Sequence, residues 1–214
     1  MSKLPETEAF LIDGPAGKLQ ALLEMPRMQE SAGAAVVCHP HPEHGGTLEN
    51  KVVHTLARAF LAKGFAVLRF NFRGVGKSEG AFDEGRGETA DALAAVQEMR
   101  GRYAGTELWL AGFSFGAAIA IRAAADVRPD GLVSVAPAVS RVSGAAGPEP
   151  RCPWLIIQGD DDELVSVGDT IEWVNSLEPG PELQIFQETS HFFHGKLVRL
   201  RNAVETFVDE HRRA

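Results

Sequence analysis

The segment Gly112-Phe113-Ser114-Phe115-Gly116 constrains this chain more than any other. The apolar run Leu108-Trp109-Leu110-Ala111 precedes it, and the small-residue run Ala117-Ala118-Ile119-Ala120-Ile121 follows. That is the pattern of a strand, a tight turn and a helix. A serine at the centre of such a turn sits in a strained backbone that flanking glycines make sterically accessible. The turn lifts Ser114 Oγ above the edge of a sheet and sets it at the N-terminus of the next helix. There the helix N–H groups and the positive end of the dipole can meet a developing oxyanion. The pentapeptide itself is common, so the reading rests on its setting.

A serine hydroxyl is a weak nucleophile at neutral pH and needs a base, and the base needs a group that orients it. On a strand-turn-helix scaffold of this kind the chain order is serine, then acid, then histidine. The buried-strand pattern Trp154-Leu155-Ile156-Ile157-Gln158-Gly159 is followed by Asp160-Asp161-Asp162-Glu163-Leu164-Val165. The strand Leu183-Gln184-Ile185-Phe186-Gln187 is followed by Glu188-Thr189-Ser190-His191-Phe192-Phe193-His194. Both loops leave the carboxyl ends of their strands, the edge at which open α/β sheets place their sites. His194 is a rival base three residues beyond His191, and Asp160 and Asp161 are rival acids.

On these residues the chain resembles the α/β-hydrolase family, and the resemblance covers nearly all of it. Gly159 to Val165 is similar to that family's G-x-x-D-x-x-V acid loop, a register that implies Asp162 as the acid. Ser190-His191-Phe192-Phe193 is similar to its histidine loop, which implies His191 as base. Arg69-Phe70-Asn71-Phe72-Arg73-Gly74-Val75-Gly76-Lys77-Ser78 resembles its D-x-R-G-x-G-x-S loop, with Asn71 where Asp is common, a change expected to bear on loop structure. His39-Pro40-His41-Pro42, Gly45-Gly46-Thr47 and Asn50-Lys51-Val52-Val53 resemble a subgroup of small capless bacterial predicted hydrolases, serine-esterase and dienelactone-hydrolase-like. The resemblance implies a mostly parallel central sheet with helices on both faces and no cap domain. It also implies hydrolysis of a small carboxylic ester or related acyl bond through Ser114, Asp162 and His191.

An oxyanion hole needs two backbone donors. The first candidate is the N–H of Phe115, the residue after the serine. By resemblance to the family's H-G-x pattern, His41 supplies the second; Pro40 and Pro42 have no N–H to offer. Two other chemistries can be read here. His39-Pro40-His41-Pro42-Glu43-His44 resembles an H-x-H-x-D-H zinc motif, which would make the chain a metal-dependent hydrolase using His39, His41 and His44. A non-catalytic binding protein could also use the same fold. Gly74-Val75-Gly76-Lys77-Ser78 mimics the end of a phosphate-binding loop, but Asn71 stands where the full motif needs glycine, so Arg73 and Lys77 are expected to hold the loop or face solvent.

The remaining sequence is consistent with one domain over residues 1–214, with no cofactor. A net charge of −8 argues against nucleic acid and anionic membrane as major partners. No apolar run reaches membrane-spanning length, and the start lacks the apolar core of a signal peptide. Two cysteines, Cys38 and Cys152, form no disulfide framework; reduced thiols and a cytoplasmic location are expected. Strand and helix patterns alternate after an opening antiparallel pair around Asp13-Gly14-Pro15-Ala16-Gly17. One helix is expected over Gly87–Arg100, with Leu93, Val96 and Met99 facing inward. The link from Pro137 to Pro153 is too short for a cap domain, so the site is expected to be open to a small-molecule ester-type substrate. The uncovered site and apolar terminal segments are compatible with a homodimer.

Overall fold

The computed structural model describes residues 6–26, 31–142 and 150–213. Its strands are β1 (Glu6–Gly14), β2 (Gly17–Met25), β3 (Gly33–Cys38), β4 (Phe65–Phe70), β5 (Glu107–Phe113), β6 (Gly131–Val135), β7 (Trp154–Gly159) and β8 (Glu182–Phe186). Its helices are α1 (Lys51–Ala62), α2 (Arg86–Arg102), α3 (Phe115–Val127), α4 (Val167–Asn175) and α5 (Leu197–His211). One eight-stranded sheet runs in the order β1-β2-β4-β3-β5-β6-β7-β8. The pairs β1–β2 and β2–β4 are antiparallel, and the pairs from β4–β3 to β7–β8 are parallel.

Every residue of β3, β4, β5, β6 and β7 is buried. Strands covered on both faces read as continuous apolar runs, which is why their sequence patterns are clear. Alternate side chains point to opposite faces. Ala34, Val36 and Cys38 of β3 join the side packed by α2 and α3, whereas Ala35 and Val37 join the side packed by α1 and α5. On the second side Trp109 is fully buried and meets the edges of Phe60, Phe65 and Phe207. Sheet order then brings the carboxyl ends of β3, β5, β6, β7 and β8 to one edge, and their loops form the site.

Two elements differ from expectation. The opening hairpin is longer than its apolar pattern, Glu6 pairing with Met25 and Gly14 with Gly17 around a turn of Pro15 and Ala16. Most of β1 is exposed, so backbone pairing and not apolar alternation fixes its length. In α2 the buried face carries Glu88, Asp91, Ala92, Ala95, Val96 and Met99, and Leu93 lies only at its margin. Two acids occupy core positions because each is fully used. Asp91 takes a bidentate pair from Arg73 (Nε to Oδ2 3.0 Å, Nη2 to Oδ1 2.8 Å) and also accepts Arg73 N at 3.0 Å. Glu88 accepts the N–H groups of Asp83 (2.9 Å) and Gly85 (2.7 Å). Arg73 thus holds the loop after β4, while Lys77 is exposed. Asn71 also works on loop structure: its Oδ1 accepts Leu48 N at 2.8 Å and its Nδ2 donates to Gln20 Oε1 at 2.9 Å.

Candidate active site

Ser114 stands between β5 and α3 with φ 55° and ψ −117°, a conformation that costs on the order of 1–3 kcal/mol for a residue with a side chain. Its surroundings over-determine it. Ser114 N donates to Val135 O at 2.8 Å, and its carbonyl accepts from Ala117 (3.0 Å), Ala118 (3.2 Å) and Ala138 (3.3 Å). The two flanking glycines are dictated by contact. A Cβ on Gly112 would lie 2.2 Å from Gly116 O, and one on Gly116 would lie 2.3 Å from His39 O and 2.4 Å from Cys38 O. The second approach presses the start of α3 against the end of β3 and brings the His39–His44 loop beside Ser114.

His191 Nε2 lies 3.0 Å from Ser114 Oγ, and its Nδ1 lies 2.8 Å from Asp162 Oδ2. The imidazole is nearly fully buried and the Asp162 side chain completely so. The carboxylate has further donors: Leu164 N (2.9 Å) and Val165 N (2.8 Å) on Oδ1, and Gln158 Nε2 (2.9 Å) on Oδ2. Burial pushes the Asp162 pKa up, but the hydrogen bonds from His191, Val165 and Leu164 outweigh it, and the group stays below the usual carboxylate range. Asp160 and Asp161 are both exposed, and neither meets His191. Asp160 instead accepts Thr189 N at 3.2 Å, tying the acid loop to the histidine loop. His194 is exposed and packs near Phe192, with ring centroids 6.0 Å apart. Phe113, Phe115 and Phe193 are core residues, while Phe192 is 42% exposed beside His191.

The amide of Phe115 opens α3, so it has no acceptor one helical turn back. His41 caps a short 3-10 turn, Pro42–His44, and its carbonyl accepts from His44 (3.1 Å) and Gly46 (3.0 Å). Among the described residues no carbonyl accepts the His41 N–H.

The three neighbouring histidines do not converge. His39 is fully buried; its Nδ1 lies 2.6 Å from Pro40 O and its Nε2 accepts Phe72 N at 3.0 Å. Both ring nitrogens are therefore spent on backbone, which requires the neutral Nδ1–H tautomer. Burial lowers its pKa from 6.5 to about 4, against the opposing hydrogen bond to Pro40. The rings of His41 and His44 stack at 4.4 Å. Among the described residues no group of three or more His, Cys, Asp or Glu is placed to hold a metal. The zinc reading fails on His39, which is a structural strut between the β3 and β4 loops.

Residues 29–148 match the sequence model of the serine aminopeptidase family S33. A lidless α/β serine hydrolase from Xanthomonas campestris is 41% identical, with a TM-score of 0.93 over 100% of this chain and 99% of that one. The chain belongs to the α/β-hydrolase superfamily. A second serine hydrolase homologue of this superfamily, from Coxiella burnetii, is 42% identical with a TM-score of 0.89, covering 96% of this chain and 99% of its own. An uncharacterised protein of Rickettsia prowazekii is 34% identical over 209 residues, 92% of this chain and 86% of that protein. This hydrolase is accordingly a serine hydrolase of the α/β fold.

Sequence patterns did not point to Gln158 or Glu163 as partners of Asp162 and His191. Gln158 reads as an ordinary strand residue, yet it is fully buried and donates to Asp162. Glu163 Oε2 accepts the backbone N–H of His191 at 3.0 Å, and that bond holds the Glu163 pKa below the usual range. Arg141 lies in a composition-biased link whose residues 143–149 fall outside the described residues. The expectation that this link forms no cap therefore extends, in the structure, only to its ends. Among the described residues no helix is long and apolar enough to cross a membrane.

Proposed function

We propose that this hydrolase cleaves small carboxylic esters through a covalent acyl-enzyme. Ser114 is the nucleophile, His191 the general base and acid, and Asp162 the group that orients and stabilises His191. The reading is carried by the unbroken line of hydrogen bonds Ser114 Oγ, His191, Asp162, at 3.0 Å and 2.8 Å, beginning at a strained serine. In the first step His191 Nε2 takes the hydroxyl proton as Oγ bonds to the ester carbonyl carbon. The charge that arises on the carbonyl oxygen is met by the N–H groups of Phe115 and His41. The imidazolium, its Nδ1–H held by Asp162, then gives its proton to the departing alcohol, leaving Ser114 acylated. Water, deprotonated by His191, attacks the acyl group and releases the carboxylic acid and free Ser114. No step needs a metal or cofactor.

Esters are favoured over amides by the leaving group. An alkoxide or phenoxide departs with modest proton transfer, and the exposed Phe192 beside His191 offers an apolar rest for an alcohol or aryl group. Hydrolysis of 4-nitrophenyl acetate by the purified protein tests this reading. The expected result is turnover that falls about 10⁴-fold or more in Ser114→Ala and about 10³–10⁴-fold in Asp162→Asn, which leaves the imidazole in the wrong tautomer. Unchanged turnover in Ser114→Ala contradicts it.

A further inference from the structure

We propose that Arg141 binds an anionic group on the acyl part of the substrate, so that the preferred esters carry a carboxylate at the far end of a short acyl chain. The proposal rests on the acyl-transfer reading above and adds the substrate class.

Arg141 ends a short 3-10 turn, Val139–Arg141, that follows β6. Its guanidinium carbon stands 5.3 Å from the centre of the Phe115 ring, and its Nη2 lies 3.3 Å from His41 Nε2. It thus meets the side-chain rings of the two residues whose backbone N–H groups are assigned to the oxyanion hole. The turn is held in place from below, since Arg122 Nη2 donates to the Arg141 carbonyl at 2.5 Å.

Acidic residues outnumber basic ones, 29 to 21. The buried Arg69 and Arg73 meet Glu24 and Asp91, each at 2.8 Å, whereas half-buried Arg122, whose Nη2 donates to the Arg141 carbonyl, shares with Arg141 the lack of an ion-paired carboxylate among the described residues. Among the described residues no carboxylate lies within ion-pair distance of Arg141, although the residue is half-buried. The nearby acids are otherwise engaged or remote from it. Glu88 is consumed by Asp83 N and Gly85 N, and Glu43 is exposed and forms no ion pair with Arg141. The Arg141 charge helps lower the His41 pKa, after burial and His44. A guanidinium offers five donors in a planar fork suited to a carboxylate, and among the described residues the Arg141 head meets only His41 Nε2.

The position selects the acyl side. His191 must reach the leaving oxygen to protonate it, so the alcohol lies towards His191 and Phe192. Arg141 meets the rings of His41 and Phe115 instead, and no contact joins it to His191 or Phe192 among the described residues.

The test compares monoethyl glutarate with its neutral amide isostere, ethyl 5-amino-5-oxopentanoate, by proton release in a pH-stat. A second pair, 3-acetoxypropanoate and 3-acetoxypropanamide, places the charge on the alcohol side. The expected result is a kcat/KM about tenfold or more in favour of monoethyl glutarate over its isostere, with no such preference in the second pair. In Arg141→Gln that ratio falls about tenfold, mainly through KM, and Arg141→Lys recovers part of it. Arg141→Met, which keeps the stem over Phe115, carries the comparison should Arg141→Gln fail to fold. Equal rates on the first pair, a preference confined to the second pair, or a ratio that the Arg141 variants leave untouched would each overturn the proposal. A wild-type protein that cleaves the neutral ester without preference contradicts only this proposal; one that cleaves none of the four contradicts the acyl-transfer reading as well.

Discussion

Gln158 shows how a side chain outside the reacting line can set its geometry. Its amide nitrogen faces three acceptors, Asp162 Oδ2 (2.9 Å), Val165 O (3.2 Å) and Gly159 O (3.3 Å), which fixes the orientation of the amide. Its Oε1 is buried and has no partner among the described residues. An unsatisfied buried oxygen costs on the order of 1–3 kcal/mol, so the residue holds Asp162 at a cost to stability. Gln158→Met is expected to lower kcat/KM about tenfold, roughly the worth of one hydrogen bond to a charged group. Its melting temperature should stay close to wild type, because the orphaned oxygen leaves with the donor. Unchanged kcat/KM would show that Leu164, Val165 and His191 suffice to hold the carboxylate. At this scale Ser114, a carboxylate of the Asp160–Asp162 run and a histidine of the loop after β8 stand out in the sequence because each sits in a local pattern of strand end and loop, and resemblance to the family's acid and histidine loops is what singles out Asp162 and His191. Gln158 and Glu163 could not be read this way, because the bond from Gln158 to Asp162 depends on how the loop after β7 folds back and that from His191 to Glu163 joins two loops, and no spacing encodes either.

The elements meet through backbone approaches that only glycine permits. Gly116 lets α3 lie against the carbonyls of Cys38 and His39, and Gly159 lets β7 pass Thr189, whose carbonyl would be 2.1 Å from an added Cβ. Gly116→Ala therefore forces backbone apart, and is expected to cost about 1–3 kcal/mol or more in urea unfolding. Gly168 in α4 is the contrast. Its added Cβ would meet nothing closer than Ser166 Oγ at 3.6 Å, and its φ is ordinary. Gly168→Ala should be neutral or stabilise by about 0.5–1 kcal/mol, through helix propensity and reduced unfolded-chain freedom. Equal effects at the two positions would refute the close-approach argument. Strands β3 to β7 were legible because two-sided burial writes itself as an apolar run. The length of β1 and the inward face of α2 were not, since the first is set by pairing with β2 and the second includes Glu88 and Asp91, acids whose partners lie on other segments.

For the molecule as a whole, His39 couples folding to pH. The folded protein keeps this imidazole neutral down to about pH 4, whereas the unfolded chain protonates it near 6.5. Above pH 6.5 the group is neutral in both states and stability is unaffected. As pH falls from 6.5 towards 4 the unfolded state alone takes up the proton, and up to about 3 kcal/mol of stability is lost. The lowered His41 pKa acts in the same direction. Urea midpoints measured from pH 7.5 to 4.5 should show stability falling with acid, with a slope shallower by about one proton in His39→Gln; an unaltered slope would remove His39 as the cause. Labelling of Ser114 by a fluorophosphonate, with the adduct located by mass spectrometry, tests whether this serine is the activated nucleophile. The expected result is a single covalent adduct on Ser114, absent in Ser114→Ala and slowed strongly in His191→Ala. A well-folded protein that forms no adduct, or forms it elsewhere, would contradict it.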